Sequence, residues 1–241
     1  MNEKQEKFYR DFCRNFKPLL DFLVKLQAKG LRHIPESGGC ILVCNHKSDM
    51  DPVILSFAIE RPITWMAGAY LYNIPLIGDF LKNVGSVPIS PKKEVVEEAM
   101  RLSMETLEKG QMIGIFPEGW DYIADGQFNK PLGKFHTGFA RMALASGALV
   151  IPSAIIPVTA FADTMPIPSW ARKLWKFPGK MADVIHHFVY KEAIIQVGRP
   201  VQVSGDIDRE NLHSISENIR GKVDQLIRRH EVYNLMDEGL L

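Results

Sequence analysis

Residues 38–60 read GGCILVCNHKSDMDPVILSFAIE, and this stretch decides the fold. The apolar run at residues 41–44 predicts a short strand buried on both faces. Asp51 and Pro52 then predict a helix over residues 52–59, because aspartate is a favoured cap and proline fits the first helical turn. A strand that leads through a short polar loop into a helix is typical of α/β proteins.

The same alternation of strands and helices continues along the chain. Apolar runs predict strands at residues 63–67, 86–89, 112–116, 149–156 and near 194–203. Helices are predicted at residues 91–109, 137–146 and about 210–233, the first with Ser90 as cap, Pro91 in its first turn and Gly110 after its end. Residues 163–192 show no regular pattern. We predict one α/β domain with a mixed, largely parallel central sheet flanked by helices.

The first 30 residues have a different pattern. Phe8, Phe12 and Phe16 recur every four residues and predict one face of a helix. Pro18 interrupts this pattern, and a second helical segment is expected over residues 18–30, as two short helices or one kinked helix. The aromatic face suits packing on the core or anchoring in a lipid headgroup layer. We divide the chain into an N-terminal helical segment, residues 1–30, as a candidate membrane-surface anchor, and a main domain, residues 31–241.

Composition excludes several function classes. The 29 basic and 28 acidic residues leave a net charge of +1, so we expect no nucleic-acid partner, and local basic patches must meet any anionic ligand. The three cysteines lack metal-ligand spacing and are expected to be buried thiols in a reducing compartment. The amino terminus lacks the apolar core of a signal peptide, and the apolar runs are too short to cross a bilayer.

Two polar segments carry the candidate chemistry. His46 is expected at the carboxyl end of a strand, where Asp51 can orient its imidazole as a general base; alternatively, Asp51 is a plain helix cap and His46 a loop histidine. A metal site using His46, Asp49 and Asp51 lacks further ligands nearby. In the second segment, Pro117 and Gly119 predict a turn that brings Glu118 to the same rim of the sheet, unless it is an ordinary exposed turn.

Together the two segments resemble a known family. Asn45-His46-x-Ser48-x-x-Asp51, followed 65 residues later by Phe116-Pro117-Glu118-Gly119, resembles the glycerolipid acyltransferases, and most closely the bacterial lysophosphatidic acid acyltransferases. The likeness covers residues 31–204 and includes segments 74–78, 85–89, 135–138, 150–152 and 197–200.

The resemblance implies transfer of a fatty acyl group from acyl-CoA or acyl carrier protein to an alcohol, with 1-acylglycerol-3-phosphate as the leading acceptor. His46 is then the general base and Asp51 its partner. Phe116, Pro117, Glu118 and Gly119 fall in the acceptor-binding motif, and backbone amides near these loops are expected to stabilise the oxyanion. No metal, bound cofactor or covalent acyl-enzyme is expected. The implied location is the cytoplasmic face of the cell membrane, where the protein would be peripheral and have the surface lipids as partners.

Two departures from the family's pattern concern the acceptor. Ser90-Pro91 and Trp120-Asp121-Tyr122 stand where the family usually has arginines that suit a phosphate. Either the acceptor differs, or lysines bind its phosphate or the thioester carrier in place of the arginines. The candidate lysines are Lys92, Lys93, Lys130 and Lys134. The alternative is that these four are solvated surface residues. The mixed aromatic and basic segment 170–180 fits membrane docking or a self-packed loop.

Two other function classes stay open. A hydrolase could use the same histidine and aspartate to activate water, although the chain has no Gly-x-Ser-x-Gly nucleophile elbow. A non-catalytic lipid-binding protein could keep the fold, but the retained histidine and aspartate disfavour it.

Overall fold

The structure, a computed structural model, describes residues 1–119, 132–166, 170, 174 and 184–237. Within these residues the elements are α1 (Glu3–Leu23), β1 (Lys25–Lys29), β2 (Cys40–Cys44), α2 (Asp51–Ala58), β3 (Ile63–Gly68), α3 (Ile77–Asn83), β4 (Val87–Ile89), α4 (Lys93–Glu108), β5 (Met112–Ile115), α5 (Gly138–Ser146), β6 (Leu149–Pro166), β7 (Val184–Val197) and α6 (Arg209–Asp237). Short 3₁₀ turns lie at Leu31–His33 and Ala69–Asn73.

The strands form one seven-stranded sheet in the order β1-β7-β6-β2-β5-β3-β4. Strands β2 to β6 run parallel, β7 runs antiparallel to β6, and β1 runs parallel to β7. The predicted α/β domain with a mixed, largely parallel sheet is therefore confirmed.

Strand β2 shows why the apolar runs are continuous. All five of its residues are buried, and its side chains alternate between two cores. Ile41 and Val43 pack with residues of α4, α5 and α6, whereas Leu42 and Cys44 pack with residues of α1 and α2. A strand covered by helices on both faces needs apolar residues at every position, which explains the continuous apolar run at residues 41–44.

The prediction of a second helical segment at residues 18–30 is wrong. Helix α1 continues through Pro18 to Leu23, and residues 25–29 form β1, which pairs with β7. Val24 is buried in the core on the α1 side of the sheet, with Leu26 packed against the same core. Burial and pairing with a neighbouring strand therefore outweigh the local helical pattern.

The predictions at the carboxyl-terminal strands were also partly wrong. Strand β6 extends to Pro166, and β7 starts at Val184 inside the stretch predicted to be irregular and ends at Val197. Each strand supplies the hydrogen-bonding partner of the other, so the ladder does not need strong apolar alternation. Helix α4 begins at Lys93, after Pro91, and Ser90 accepts a hydrogen bond from the Lys92 amide instead of capping the helix.

The aromatic stripe of α1 packs in part on the core, and its role as a membrane anchor stays a prediction. The ring of Phe12 packs against those of Phe57 and Phe80, with centroid distances of 5.7 and 4.9 Å. Toward the end of the helix, Leu19 and Phe22 are 53% and 86% exposed. Among the helices that the structure describes, none combines the length and apolar character needed to cross a membrane.

Arg61, in the connection between α2 and β3, joins several loops at the amino ends of the parallel strands. Its guanidinium donates to the carbonyl oxygens of Pro35 at 2.7 Å, Gly38, and Gly110 at 2.6 Å. These loops precede β2 and β5, so the planar guanidinium fixes the positions of the segments that lead into both central strands.

We predict that Arg61→Lys lowers the free energy of unfolding by about 1 kcal/mol, since an ammonium group cannot reproduce the forked contacts and leaves partly buried carbonyls with fewer donors. Urea denaturation measures the change. Arg101→Lys is the control, because Arg101 pairs with Glu98 and Glu105 on the exposed face of α4. Equal effects of the two substitutions would contradict this role for Arg61.

Candidate active site

Two loops meet at the carboxyl end of the parallel sheet. The loop that contains His46 follows β2, and the turn at residues 116–119 follows β5. Since β2 and β5 are adjacent parallel strands, with Val43 opposite Ile115, both loops leave the sheet at the same edge. This edge is the usual location of sites in open α/β sheets.

His46 and Asp51 are in direct contact. Nδ1 of His46 lies 2.8 Å from Oδ2 of Asp51, and their side chains are 15% and 0% exposed. A carboxylate can only accept hydrogen bonds, so in the neutral imidazole Nδ1 carries the proton and Nε2 keeps its lone pair. Nε2 makes no hydrogen bond to any residue that the structure describes. This tautomer can remove a proton from a bound hydroxyl.

The carboxylate of Asp51 organises the whole loop. Oδ2 also accepts from the backbone amides of Lys47, at 2.6 Å, and Ser48, at 2.8 Å. The hydroxyl of Tyr190 on β7 donates to Oδ1 at 2.6 Å. Asp51 is therefore not the predicted helix cap: Met50 holds the cap position, and the carboxylate turns back toward the preceding loop.

Asn45 fixes the start of this loop to the neighbouring strand. Its side chain donates to the carbonyl oxygen of Ile155 at 2.9 Å and accepts from the amide of the same residue at 2.8 Å. Asn45 is fully buried. The amide thus continues the β2–β6 ladder by one step and holds the position from which His46 departs.

Glu118 joins the loop after β2 to the chain near residue 133. One carboxylate oxygen accepts from the amide of His46 and the other from the amide of Gly133, both at 2.7 Å. Burial raises the pKa of Glu118, and the two amides and the nearby Lys47 oppose this shift. Burial also lowers the pKa of Lys47. The structure thus gives Glu118 two backbone contacts, and its predicted contact with the acceptor stays a prediction.

Phe116 holds the imidazole of His46 through ring stacking. The two rings stack at a centroid distance of 4.0 Å, and Trp65 stacks on the opposite face of Phe116 at 5.0 Å. The indole nitrogen of Trp65 donates to the hydroxyl of Ser56 on α2. Gly114 gives the indole its space, because a Cβ there would lie 2.5 Å from two ring carbons.

The turn after Phe116 has the close packing that its glycine predicts. Gly119 has φ of +75°, and a Cβ at this position would lie 2.9 Å from the imidazole of His136. The amide of His136 donates to the carbonyl oxygen of Pro117 at 2.8 Å. Gly119 is thus required by its backbone conformation and by His136, a residue for which the sequence indicated no role.

The described lysines that were predicted to bind a phosphate or the thioester carrier are all exposed. Lys92 and Lys93 are exposed and follow β4, which lies three strands from β2, or about 14 Å at ordinary strand spacing. Lys134 is exposed and follows Gly133, whose amide reaches Glu118. Lys130 and residues 120–122 lie outside the described residues, as does the segment 170–180 apart from Trp170 and Leu174, which are both exposed.

Sequence reasoning missed Tyr190, Trp65 and the structural role of Asn45. Tyr190 lies in the stretch that showed no periodicity, so no signal pointed to it. Asn45 precedes the histidine and could have been recognised as a fixed loop anchor. The amides of His46, Lys47 and Ser48 already donate to Glu118 or Asp51, so an oxyanion would need other donors. In the described part of the chain, no three His, Cys, Asp or Glu side chains are grouped to hold a metal ion.

Comparison with known proteins assigns the family. The model of the family described as Acyltransferase matches residues 25–156, which is more than half of the chain. The chain belongs to the acyltransferase family. The match includes both loops of the candidate site and confirms the resemblance seen in the motifs.

Individual relatives agree with this membership. A 1-acyl-sn-glycerol-3-phosphate acyltransferase of Pseudomonas aeruginosa is 29% identical over 171 residues, or 70% of this chain and 61% of that protein. A chloroplastic enzyme of the same name from Arabidopsis thaliana is 30% identical over 132 residues, or 53% of this chain and 35% of its own length. The matches to these two curated relatives thus span about a third to three fifths of their length.

A solved structure shares the fold. The crystal structure of the 1-acyl-sn-glycerophosphate acyltransferase from Thermotoga maritima matches with a TM-score of 0.63 and 20% identity. The match covers 94% of this chain and 83% of that chain. The arrangement of elements in this member of the acyltransferase family is therefore shared over nearly its whole length.

The contacts of Glu118 lead to a stability prediction. Glu118→Gln should lower the free energy of unfolding by about 2 kcal/mol, because one backbone amide would then face an NH₂ donor instead of an acceptor. Chemical denaturation measures this change. Glu60→Gln, at an exposed glutamate after α2, is the control and should change stability little. Full stability in Glu118→Gln would show that the two backbone contacts contribute little to folding.

Proposed function

We propose that this protein transfers a fatty acyl group from acyl-CoA or acyl carrier protein to the hydroxyl of a lysophospholipid-type acceptor. The observation that carries the proposal is the contact of His46 Nδ1 with the buried carboxylate of Asp51, which leaves Nε2 able to accept a proton. Membership of the acyltransferase family supports the reaction class.

The reaction proceeds in two steps in this proposal. Nε2 of His46 takes the proton of the acceptor hydroxyl while its oxygen attacks the thioester carbonyl. Asp51 stabilises the imidazolium that forms. The tetrahedral intermediate then collapses, the carbon–sulfur bond breaks, and the thiolate leaves with the proton from His46. The products are an ester and a free thiol, and no acyl-enzyme forms.

For the acceptor we propose 1-acylglycerol-3-phosphate, which gives phosphatidic acid. The names of the curated relatives support this choice. Phe116, Pro117, Glu118 and Gly119 would form the acceptor side of the site. The phosphate or the thioester carrier would be met by basic side chains in place of the family's arginines: Lys92, Lys93, Lys130 and Lys134.

An acceptor panel tests the proposal. Purified protein receives labelled acyl-CoA with glycerol-3-phosphate, lysophosphatidic acid, other lysophospholipids or neutral alcohols. We expect selective acylation of lysophosphatidic acid, and a fall in kcat of at least about 10²- to 10⁴-fold in His46→Ala, the size of a positioned general base. His213→Ala, at an exposed histidine of α6, is the matched control and should keep full activity.

Each other outcome identifies a different function. Thiol release that is equally fast without an acceptor would indicate a thioester hydrolase. Acylation of a phosphate-free alcohol alone would rule out phosphatidic acid as product. An unchanged rate in His46→Ala would overturn the mechanism, and lipid binding without turnover would indicate a non-catalytic protein.

We also propose that residues 1–30 rest on the cytoplasmic face of a membrane, beside a catalytic domain at residues 31–241. The exposed apolar side chains Leu19 and Phe22 at the end of α1 support this arrangement. Basic residues on the same helix, such as Lys17, would face anionic headgroups. Strand β1 joins this segment to the sheet through β7.

The membrane proposal predicts that Leu19→Ser with Phe22→Ser weakens binding to phosphatidylglycerol vesicles by about tenfold or more, because two apolar side chains lose their burial in lipid. Vesicle sedimentation measures binding. Val96→Ser, at a 44% exposed position on α4, is the control. Point substitutions are sharper than deletion of residues 1–29, which would also remove β1. Unchanged binding of the double variant would refute the anchor.

A further inference from the structure

Tyr190 is a buried group that the proposed reaction does not use. It lies on β7 with 2% exposure, and its hydroxyl donates to Oδ1 of Asp51 at 2.6 Å. This oxygen is not the one that faces His46, which is Oδ2. Burial, with the charge of Asp51, raises the pKa of Tyr190 well above its ordinary value, so the hydroxyl remains a donor at every working pH.

An irregularity in the sheet turns Tyr190 toward Asp51. Ala193 and Ile195 of β7 lie in the core on the α2 side of the sheet, and so does Tyr190. Side chains on a regular strand alternate between faces, so residues three apart should lie on opposite faces. The pairing with β6 shifts twice here: Val158 of β6 is skipped before Thr159 pairs with Glu192, and Lys191 of β7 is skipped before Ala160 pairs with Tyr190.

Lys191 is therefore the extra residue of β7, between Glu192 and Tyr190. Such bulges redirect side chains and are frequent next to active sites. Without this one, position 191 would face Asp51, and the hydroxyl of Tyr190 would lie on the other side of the sheet.

We propose that Tyr190 is a positioning residue for acyl transfer: its hydroxyl holds the Asp51 carboxylate in the orientation that presents Oδ2 to His46 and limits how strongly the carboxylate attracts the imidazolium. The role in catalysis rests on the proposed function. The effect on the His46–Asp51 pair does not, because it is a property of the folded protein alone.

Removal of the hydroxyl has a defined consequence for the imidazole. The Asp51 charge would be less dispersed by hydrogen bonding, so His46 would bind its proton more tightly. The other titratable groups around the pair are Cys44 at the end of β2, Lys47 and Asp49 in the loop before α2, and Glu118 after β5. None of them changes in a Tyr190→Phe variant.

Titration of the His46 imidazole by NMR tests the proposal without any substrate. His46→Ala assigns the resonance. In Tyr190→Phe we expect the midpoint to move to higher pH by about half a pH unit, a threefold gain in proton affinity. Tyr9→Phe is the matched control, because Tyr9 is also buried and has neither His46 nor Asp51 among its electrostatic neighbours. A midpoint in Tyr190→Phe equal to that of the wild type overturns the proposal.

A double-mutant cycle separates this role from a general loss of packing. In an Asp51→Asn background, Tyr190→Phe should cause no further movement of the His46 midpoint, because the hydroxyl acts through the carboxylate. The same half-unit movement in both backgrounds would show that Tyr190 does not act through Asp51 and would overturn the proposal.

Kinetics connects the interaction to the reaction. We expect Tyr190→Phe to lower kcat about threefold to tenfold while KM for thioester and acceptor stays unchanged, since the residue does not touch either substrate. A raised KM with unchanged kcat would indicate substrate binding and overturn the positioning role. If the wild-type protein transfers no acyl group, the proposed function fails, and the NMR titration still decides whether Tyr190 acts on the His46–Asp51 pair.

Discussion

Asp51 places a carboxylate with no solvent exposure at the start of α2, and such a charge is costly to bury unless its oxygens are hydrogen-bonded. Four donors meet this need: the amides of Lys47 and Ser48, the imidazole of His46 and the hydroxyl of Tyr190. The need to hydrogen-bond this carboxylate determines the conformation of the loop at residues 46–48 and the tautomer of His46. It also explains why Tyr190 of β7 reaches the site. The geometry of the base thus follows from satisfying one buried charge.

Glu118 is a second buried carboxylate that needs hydrogen-bond donors, and it follows the neighbouring strand β5. Its buried carboxylate accepts from His46 and Gly133, so the segments after β2 and β5 are joined through a side chain at the edge of the sheet. Asn45 adds a third connection, to β6. The backbone of His46 is therefore held from two neighbouring strands, while the stacked ring of Phe116 limits rotation of the imidazole. A base held this way loses little entropy when a substrate binds.

The parallel strands and the contact between His46 and Asp51 could be predicted because their signals are local. Continuous apolar runs identify strands buried on both faces, and the motif residues follow them directly in sequence. The contacts from β7 could not be predicted in this way. Strand β1 depends on pairing with β7, and Tyr190 depends on a bulge that reverses the alternation of side chains. Neither leaves a periodic pattern in the sequence, because both result from pairing between distant segments.

The connections that fix His46 are separate from the predicted phosphate contacts of Lys92 and Lys93. His46, Asp51, Asn45 and Glu118 are held by backbone groups and by Tyr190 in the core. Among the described lysines, Lys92 and Lys93 are exposed beyond the far edge strand β4. Replacement of the family's arginine at Ser90-Pro91 therefore leaves the contact between His46 and Asp51 undisturbed. The intact His46–Asp51 pair and the departure from the family's pattern at Ser90-Pro91 are compatible because separate parts of the fold support them.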